Sequence, residues 1–399
     1  MLKKYLNHLS ELSDIRLLVV RYAVNFVGFI EILLLPVLLD PDFYTDVEFL
    51  RYLMMLAPIF LFGAHSGFLY EFYNNKVNHI KTLCLFSFLV SSIIATLVFF
   101  ITERLLVSMA VFCLIFVNPL EKWLVVSGKL ILASVYKSFI SISMICLGCI
   151  SFLYYSGDSF TDIYSLSIIV GSLVWTGYLF SLLKAPFSSV FDYENIAGFY
   201  LEIIKLVKSG FVINVQSYVL VAYFLFDRFF ISQFYGGFER EYALAFSLSQ
   251  IIFIGLNTIA FSAQRNVGCS IQAYSLENYS RGIKLVFMLF SVLGIIGLVG
   301  VYILNLLLVG YGDFIYTFMI TSVLYGAYYA LSSFSVVAFY KNLSSTALFI
   351  LLLFMVLNVA LSYLLKNYEF GYYLILFKSG VLLLLSSLLL DNYIRRALK

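Results

Sequence analysis

Residues 184–209 read KAPFSSVFDYENIAGFYLEIIKLVKS, the one long polar stretch in a chain otherwise made of apolar runs. On either side of it, runs of roughly 20 mainly apolar residues recur, the length that crosses a bilayer as a helix. Six precede it, at about 17–39, 50–70, 82–102, 105–127, 130–155 and 162–183, and six follow it, at about 210–235, 242–263, 284–308, 314–339, 343–365 and 370–390. An even number of spans on each side gives the halves the same orientation, as in a parallel repeat about an axis along the membrane normal. The expected fold is therefore an all-α integral membrane protein. A six-helix lobe occupies 1–184, a cytoplasmic linker 185–209, and a second six-helix lobe 210–399. Within the linker, GFYLEIIKLVKS places apolar and charged positions at helical spacing, which suits a helix lying in the membrane interface.

Composition agrees. Of 399 residues, 62% are hydrophobic and 12% charged, against roughly 45–50% and about 25% in soluble domains. The net charge of +3, with no basic tail, gives no footprint for nucleic acid. No glycine-rich phosphate loop or zinc-like cysteine spacing occurs, and Cys146 and Cys149 stand in an apolar span, where packing is the expected role. No metal, cofactor or catalytic centre is expected. Lys and Arg outside the spans divide seventeen to four if both termini are cytoplasmic, which fixes that orientation. A shift of 195 residues lays the loop and second span over the eighth, matching Leu53, Ile59 and Leu61 to Leu248, Ile254 and Leu256. Pro58 and Pro119 fall inside spans and predict kinks.

Six charges lie well within spans: Arg21, Glu31, Lys137, Asp227, Arg228 and Lys378. A charge at the bilayer centre costs about 2.5–3.5 kcal/mol, so such residues face protein or water. Arg21, Asn25, Gly28 and Glu31 recur at helical spacing on the first span, and Ser134, Lys137 and Ser141 do so on the fifth. On the seventh, AYFLFDRFFISQFYG (222–236) sets Asp227 beside Arg228. Neighbours in a helix point about 100° apart, so Arg228 shares a face with Asn214 and Ser217, and Asp227 with Gln216 and Tyr223. Arg21 and Arg228 are expected to face a central water-filled cavity. Glu31 and Asp227 are the candidates for ion or proton coupling.

The first-span exit LLLPVLLDPDFYTDVEFLRYL (33–53), the seventh-span FLFDRFFISQFYG (224–236) and YALAFSLSQIIFIGLNTIAFS (242–262), set in a 6+6 plan, resemble the polysaccharide-transport branch of the superfamily that includes MATE exporters. Wzx-type O-antigen flippases are the family it looks like. The resemblance covers essentially the whole chain and implies two six-helix lobes around a V-shaped cavity in the bacterial inner membrane. It implies a flippase for undecaprenyl-pyrophosphate-linked oligosaccharide, an anionic lipid, working in a lipid bilayer beside a polysaccharide polymerase and a chain-length regulator. Arg21, Lys137, Arg228 and Lys378 would then be the phosphate and sugar contacts, Lys137 and Lys378 on charge and depth alone. Two other readings are a cation-coupled exporter of small amphipathic compounds, resting on Glu31 and Asp227, and a membrane polysaccharide polymerase. The short far-side loops and three histidines speak against the last.

Overall fold

Apolar runs bounded by polar residues become helices, because in lipid only internal hydrogen bonding satisfies the backbone. The computed structural model describes residues 56–154, 160–183, 196–270, 274–305, 314–368 and 371–399, with Ile30 and Met54. Arg21 and Glu31, and with them the first span apart from Ile30, lie outside the described residues. The helices are α1 (Ala64–Asn75), α2 (Ile80–Thr102), α3 (Leu105–Val126), α4 (Leu130–Tyr154), α5 (Phe160–Leu183), α6 (Ile196–Phe234), α7 (Glu239–Ser270) and α8 (Leu276–Asn305). The tenth span is built from α9 (Phe314–Ile320), a π-helical turn (Thr321–Tyr325), α10 (Gly326–Ser332) and α11 (Val336–Tyr340). Then come α12 (Ser344–Leu365) and α13 (Gly371–Ala397). Among the described residues, eight helices are long and apolar enough to cross a membrane.

Their outer faces are apolar in helical register. On α8 Met288, Val292, Ile295, Val299 and Tyr302 are exposed, and on α2 Leu89, Ile93, Leu97 and Phe100. Stripes of this length require lipid as their solvent. Inward faces carry small and hydroxyl residues that let helices approach. Ser87 donates to the Ile115 carbonyl (3.2 Å) and Ser108 to that of Ala95 (2.6 Å), tying α2 to α3. Trp175 donates to the Leu132 carbonyl (3.0 Å), tying α5 to α4.

Contacts group the chain into two units, one including Phe49–Val215 and the other Gln216–Lys399. Two local features differ from the sequence reading. The second span does not run through: Pro58 lies in a 3-10 turn (Ala57–Leu61), and Phe62 (φ 48°) and Gly63 (φ 85°) adopt left-handed backbone before α1 begins. Pro119, by contrast, stays inside α3. The expected boundary at 209/210 is also crossed, because α6 is continuous over 39 residues.

The first half of α6 packs within the Phe49–Val215 unit. Leu206 is buried with Ala64, Phe68 and Leu83. The Glu71 carboxylate, buried on α1, accepts hydrogen bonds from Asn75 (2.7 Å) and Ser209 (2.7 Å) and an ion pair from Lys205 (2.8 Å). Glu202 accepts from Thr82 and meets His79 Nδ1 at 3.2 Å. The linker's polar residues therefore bind neighbouring helices. Backbones touch where α1 and α6 cross: a Cβ on Gly210 would stand 2.0 Å from the Gly63 carbonyl oxygen, and one on Gly67 1.8 Å from that of Leu206. Gly210→Ala is therefore expected to cost about 1–3 kcal/mol, the range for overpacking a close contact. Gly177→Ala, where a Cβ meets nothing within 4 Å, is the matched control. Thermal melts of both variants check this, and equal melting temperatures would show that the crossing is loose.

Candidate functional site

Four helices of the Gln216–Lys399 unit bring charge together in the interior. Asp227, on the second half of α6, is wholly buried. Its Oδ1 accepts from Asn358 Nδ2 on α12 (2.9 Å), and its Oδ2 from the Tyr325 hydroxyl in the tenth span (3.2 Å) and from Ser379 on α13. Lys378, also on α13, donates to the Asn358 carbonyl (2.8 Å), to Asn358 Oδ1 and to Ser362 Oγ (2.5 Å). Asn358 thus stands between acid and base, its amide nitrogen on Asp227 and its amide oxygen on Lys378. Tyr223, four residues before Asp227 on the same face, donates to the Ser379 carbonyl (2.9 Å).

Local structure explains why these groups meet. Asn358 and Ser362 are one turn apart on α12, so both face α13. Ser362 also donates back to the Asn358 carbonyl (2.9 Å). The π-helical turn inserts one residue into the tenth span and changes its helical phase, a feature found often at functional sites. Thr321 within it bonds the Thr317 carbonyl (2.9 Å) and pairs with Ser249 of α7 (2.8 Å). Tyr325 closes the turn, its ring set between Phe224 (centroids 5.4 Å apart) and Phe246 (6.2 Å). The Tyr325 hydroxyl therefore reaches Asp227 from a position fixed by packing.

The chemistry follows from burial. An ionised carboxylate with no water needs hydrogen bonds and a counter-charge, or it is expelled or neutralised. Asp227 has three hydrogen bonds and a lysine two bonds away through Asn358. Among the described residues no cluster of three or more His, Cys, Asp or Glu groups could hold a metal ion.

Arg228, the next residue on α6, is 4% exposed and makes contacts of its own. It does not open onto water in this conformation as the sequence reading expects. Asn214, assigned to its face, is also buried. Lys137 lies on α4, and its side chain is outside the described ones. Of the six charges singled out in the sequence, the structure brings together Asp227 and Lys378, which had been given separate roles as coupling acid and cargo contact. Asn358, Ser362, Ser379 and Tyr325 were missed. Asn358 and Ser362 had left a signal, as polar residues one turn apart in the apolar run FMVLNVALSYLL (354–365).

No family model and no curated protein sequence matches this chain. Solved structures do. The chain is similar to the outward-facing conformation of a multidrug resistance MATE family transporter of the MOP superfamily, over 98% of both chains (TM-score 0.70, 14% identity). It is similar over 96% of both chains to a MOP superfamily transporter from Pyrococcus furiosus described as having a binding pocket of reverse polarity that suggests a different function (TM-score 0.68, 16% identity). It is similar over 99% of both chains to the eukaryotic MATE transporter AtDTX14 (TM-score 0.68, 14% identity). At such identities the likeness shows the fold, a MATE-like all-α membrane fold.

Proposed function

We propose that this chain is a transporter working by alternating access, and that its cargo is an undecaprenyl-pyrophosphate-linked oligosaccharide carried from the cytoplasmic to the outer leaflet of a bacterial inner membrane. In this reading both termini are cytoplasmic, and a polymerase and a chain-length regulator act on the product. The observation that carries it is the sign of the charge set in the spans, four bases against two acids. Pairing Asp227 with Lys378 in one network leaves that surplus of two positive charges intact. A pyrophosphate lipid is the kind of cargo such a surplus suits, because desolvated bases hold phosphate oxygens through charge-assisted hydrogen bonds. One structural neighbour is described as having a binding pocket of reverse polarity that suggests a different function, and this supports looking beyond cation-coupled drug export for this fold. Arg21, Lys137 and Arg228 are the proposed cargo contacts.

A cation-coupled exporter of small amphipathic compounds is the second reading, favoured by the neighbour described as a multidrug resistance transporter. The burial of Asp227 and its full set of hydrogen bonds fit a coupling acid exposed in another conformation. Reconstitution separates the two. Vesicles containing the purified chain are expected to move a fluorescent prenyl-pyrophosphate-linked oligosaccharide between leaflets, read as quenching of dye reaching the outer face. Vesicles that leave this lipid in place but accumulate amphipathic dyes down an imposed ion gradient would overturn the first reading in favour of the second.

A further inference from the structure

Among the described residues the hydrogen-bond acceptors of the Lys378 ammonium are all oxygens: the Asn358 carbonyl, the Asn358 side-chain oxygen and the Ser362 hydroxyl. An ammonium has three donors, and all three are taken. Beyond the Asn358 amide stands one carboxylate, Asp227, held by Ser379 and Tyr325. Neutral oxygens with one negative charge beside them form the surroundings of a bare monovalent cation. Here the cation is supplied by the protein itself, at the end of a side chain. We propose that Lys378 is a tethered cation: its ammonium fills an oxygen-lined site between α6, α12 and α13, and the site takes a free alkali-metal ion when the ammonium is removed.

The charge count selects the ion class. One carboxylate balances one positive charge within this network, whereas a divalent ion would leave a net charge in it, a large penalty away from water. Oxygen ligands suit hard ions rather than soft ones. The same geometry predicts that the intact chain takes no such ion, since the oxygens of the site already accept from the ammonium. Lys378 is then a filled counter-ion and not a contact for anionic cargo. This inference concerns the ion site alone and stands whatever the cargo is, so a failed lipid-transport assay leaves it untouched.

The test uses the purified full chain, with Lys378→Met and the double variant Asp227→Asn/Lys378→Met. Methionine keeps the apolar stem and empties only the place of the ammonium. Melting temperatures are measured in choline chloride and then with lithium, sodium or potassium replacing choline at constant ionic strength. Lys378→Met is expected to melt lower than wild type in choline and to regain several degrees, saturably, with at least one alkali ion. A ligand that binds only the folded state raises its melting temperature in this way. Wild type and the double variant are expected to show no such response. No rise in Lys378→Met with any of the three ions would overturn the proposal. So would a saturable rise in wild type that Asp227→Asn abolishes, because the site would then be open in the intact chain. If Lys378→Met yields no folded protein even when prepared throughout in each alkali ion, while the double variant folds, the vacated site accepts no ion and the proposal fails.

Discussion

Asp227→Ala is expected to leave little folded protein in choline buffers, and to be the most damaging substitution in the Gln216–Lys399 unit. The change takes the acceptor from Tyr325, Asn358 and Ser379 together. It also leaves the Lys378 ammonium charged with no acid beside it. Removing one partner of a buried pair costs about 3–5 kcal/mol, which is much of the roughly 5–15 kcal/mol that holds a typical domain folded. Asp227→Asn keeps the shape and one acceptor oxygen, so it is expected to cost less. The decisive measurement is a cycle of Asp227→Asn, Lys378→Met and the double variant, followed by thermal melts and gel filtration. Groups in one network show coupling of about 0.5–3 kcal/mol, so the double variant should melt higher than the two single losses add up to. Strict additivity would mean that Asn358 does not transmit between acid and base, and the network would be a set of separate hydrogen bonds.

The helices of several spans were legible because span length is a coarse and rigid signal. The expected 82–102, 105–127 and 343–365 are found as Ile80–Thr102, Leu105–Val126 and Ser344–Leu365. The partners of the linker's second half were not legible, for a physical reason. Glu202, Lys205 and Ser209 look like residues that want the interface, but they also have partners, His79, Glu71 and Thr82, more than 100 positions earlier. Periodicity within one helix carries no information about such partners. The same limit hid the site. Asp227 and Lys378 are 151 positions apart in sequence, and only the packing of α6 against α12 and α13 shows that one asparagine joins them. The π-helical turn that fixes Tyr325 was equally invisible, since one inserted residue leaves the hydropathy of a 27-residue span unchanged. What was legible was that charges so deep in apolar runs must have protein or water around them. The divergence of Asp227 and Arg228 by about 100° was likewise available from the helical period alone.

Arg228→Ala is expected to abolish movement of the lipid-linked oligosaccharide while leaving the chain folded. Arginine presents a planar fork that can bond two phosphate oxygens at once, and lysine presents a point charge. Arg228→Lys therefore keeps the charge but loses one charged hydrogen bond, worth about 1.5–3 kcal/mol. Transport is expected to fall about tenfold or more, since 1.4 kcal/mol is a factor of ten. Arg228 is 4% exposed in the present conformation, so contact with cargo requires the conformation that opens this face, as alternating access demands. The rival is that Arg228 serves only to balance Asp227. The contacts of Asp227 make that rival testable, because the acid already receives Tyr325, Asn358 and Ser379. Arg228→Ala, Asp227→Asn and the double variant are compared at matched membrane levels, with outer-face lipid-linked sugar and melting temperature both measured. If the double variant recovers transport that Arg228→Ala lacks, the arginine is a structural counter-ion and the cargo role is wrong. If transport stays absent in both and the melting temperature of Arg228→Ala stays near wild type, the two adjacent charges have separate duties. Asp227 then closes the tethered-cation network behind the helix, and Arg228 meets the pyrophosphate in front of it.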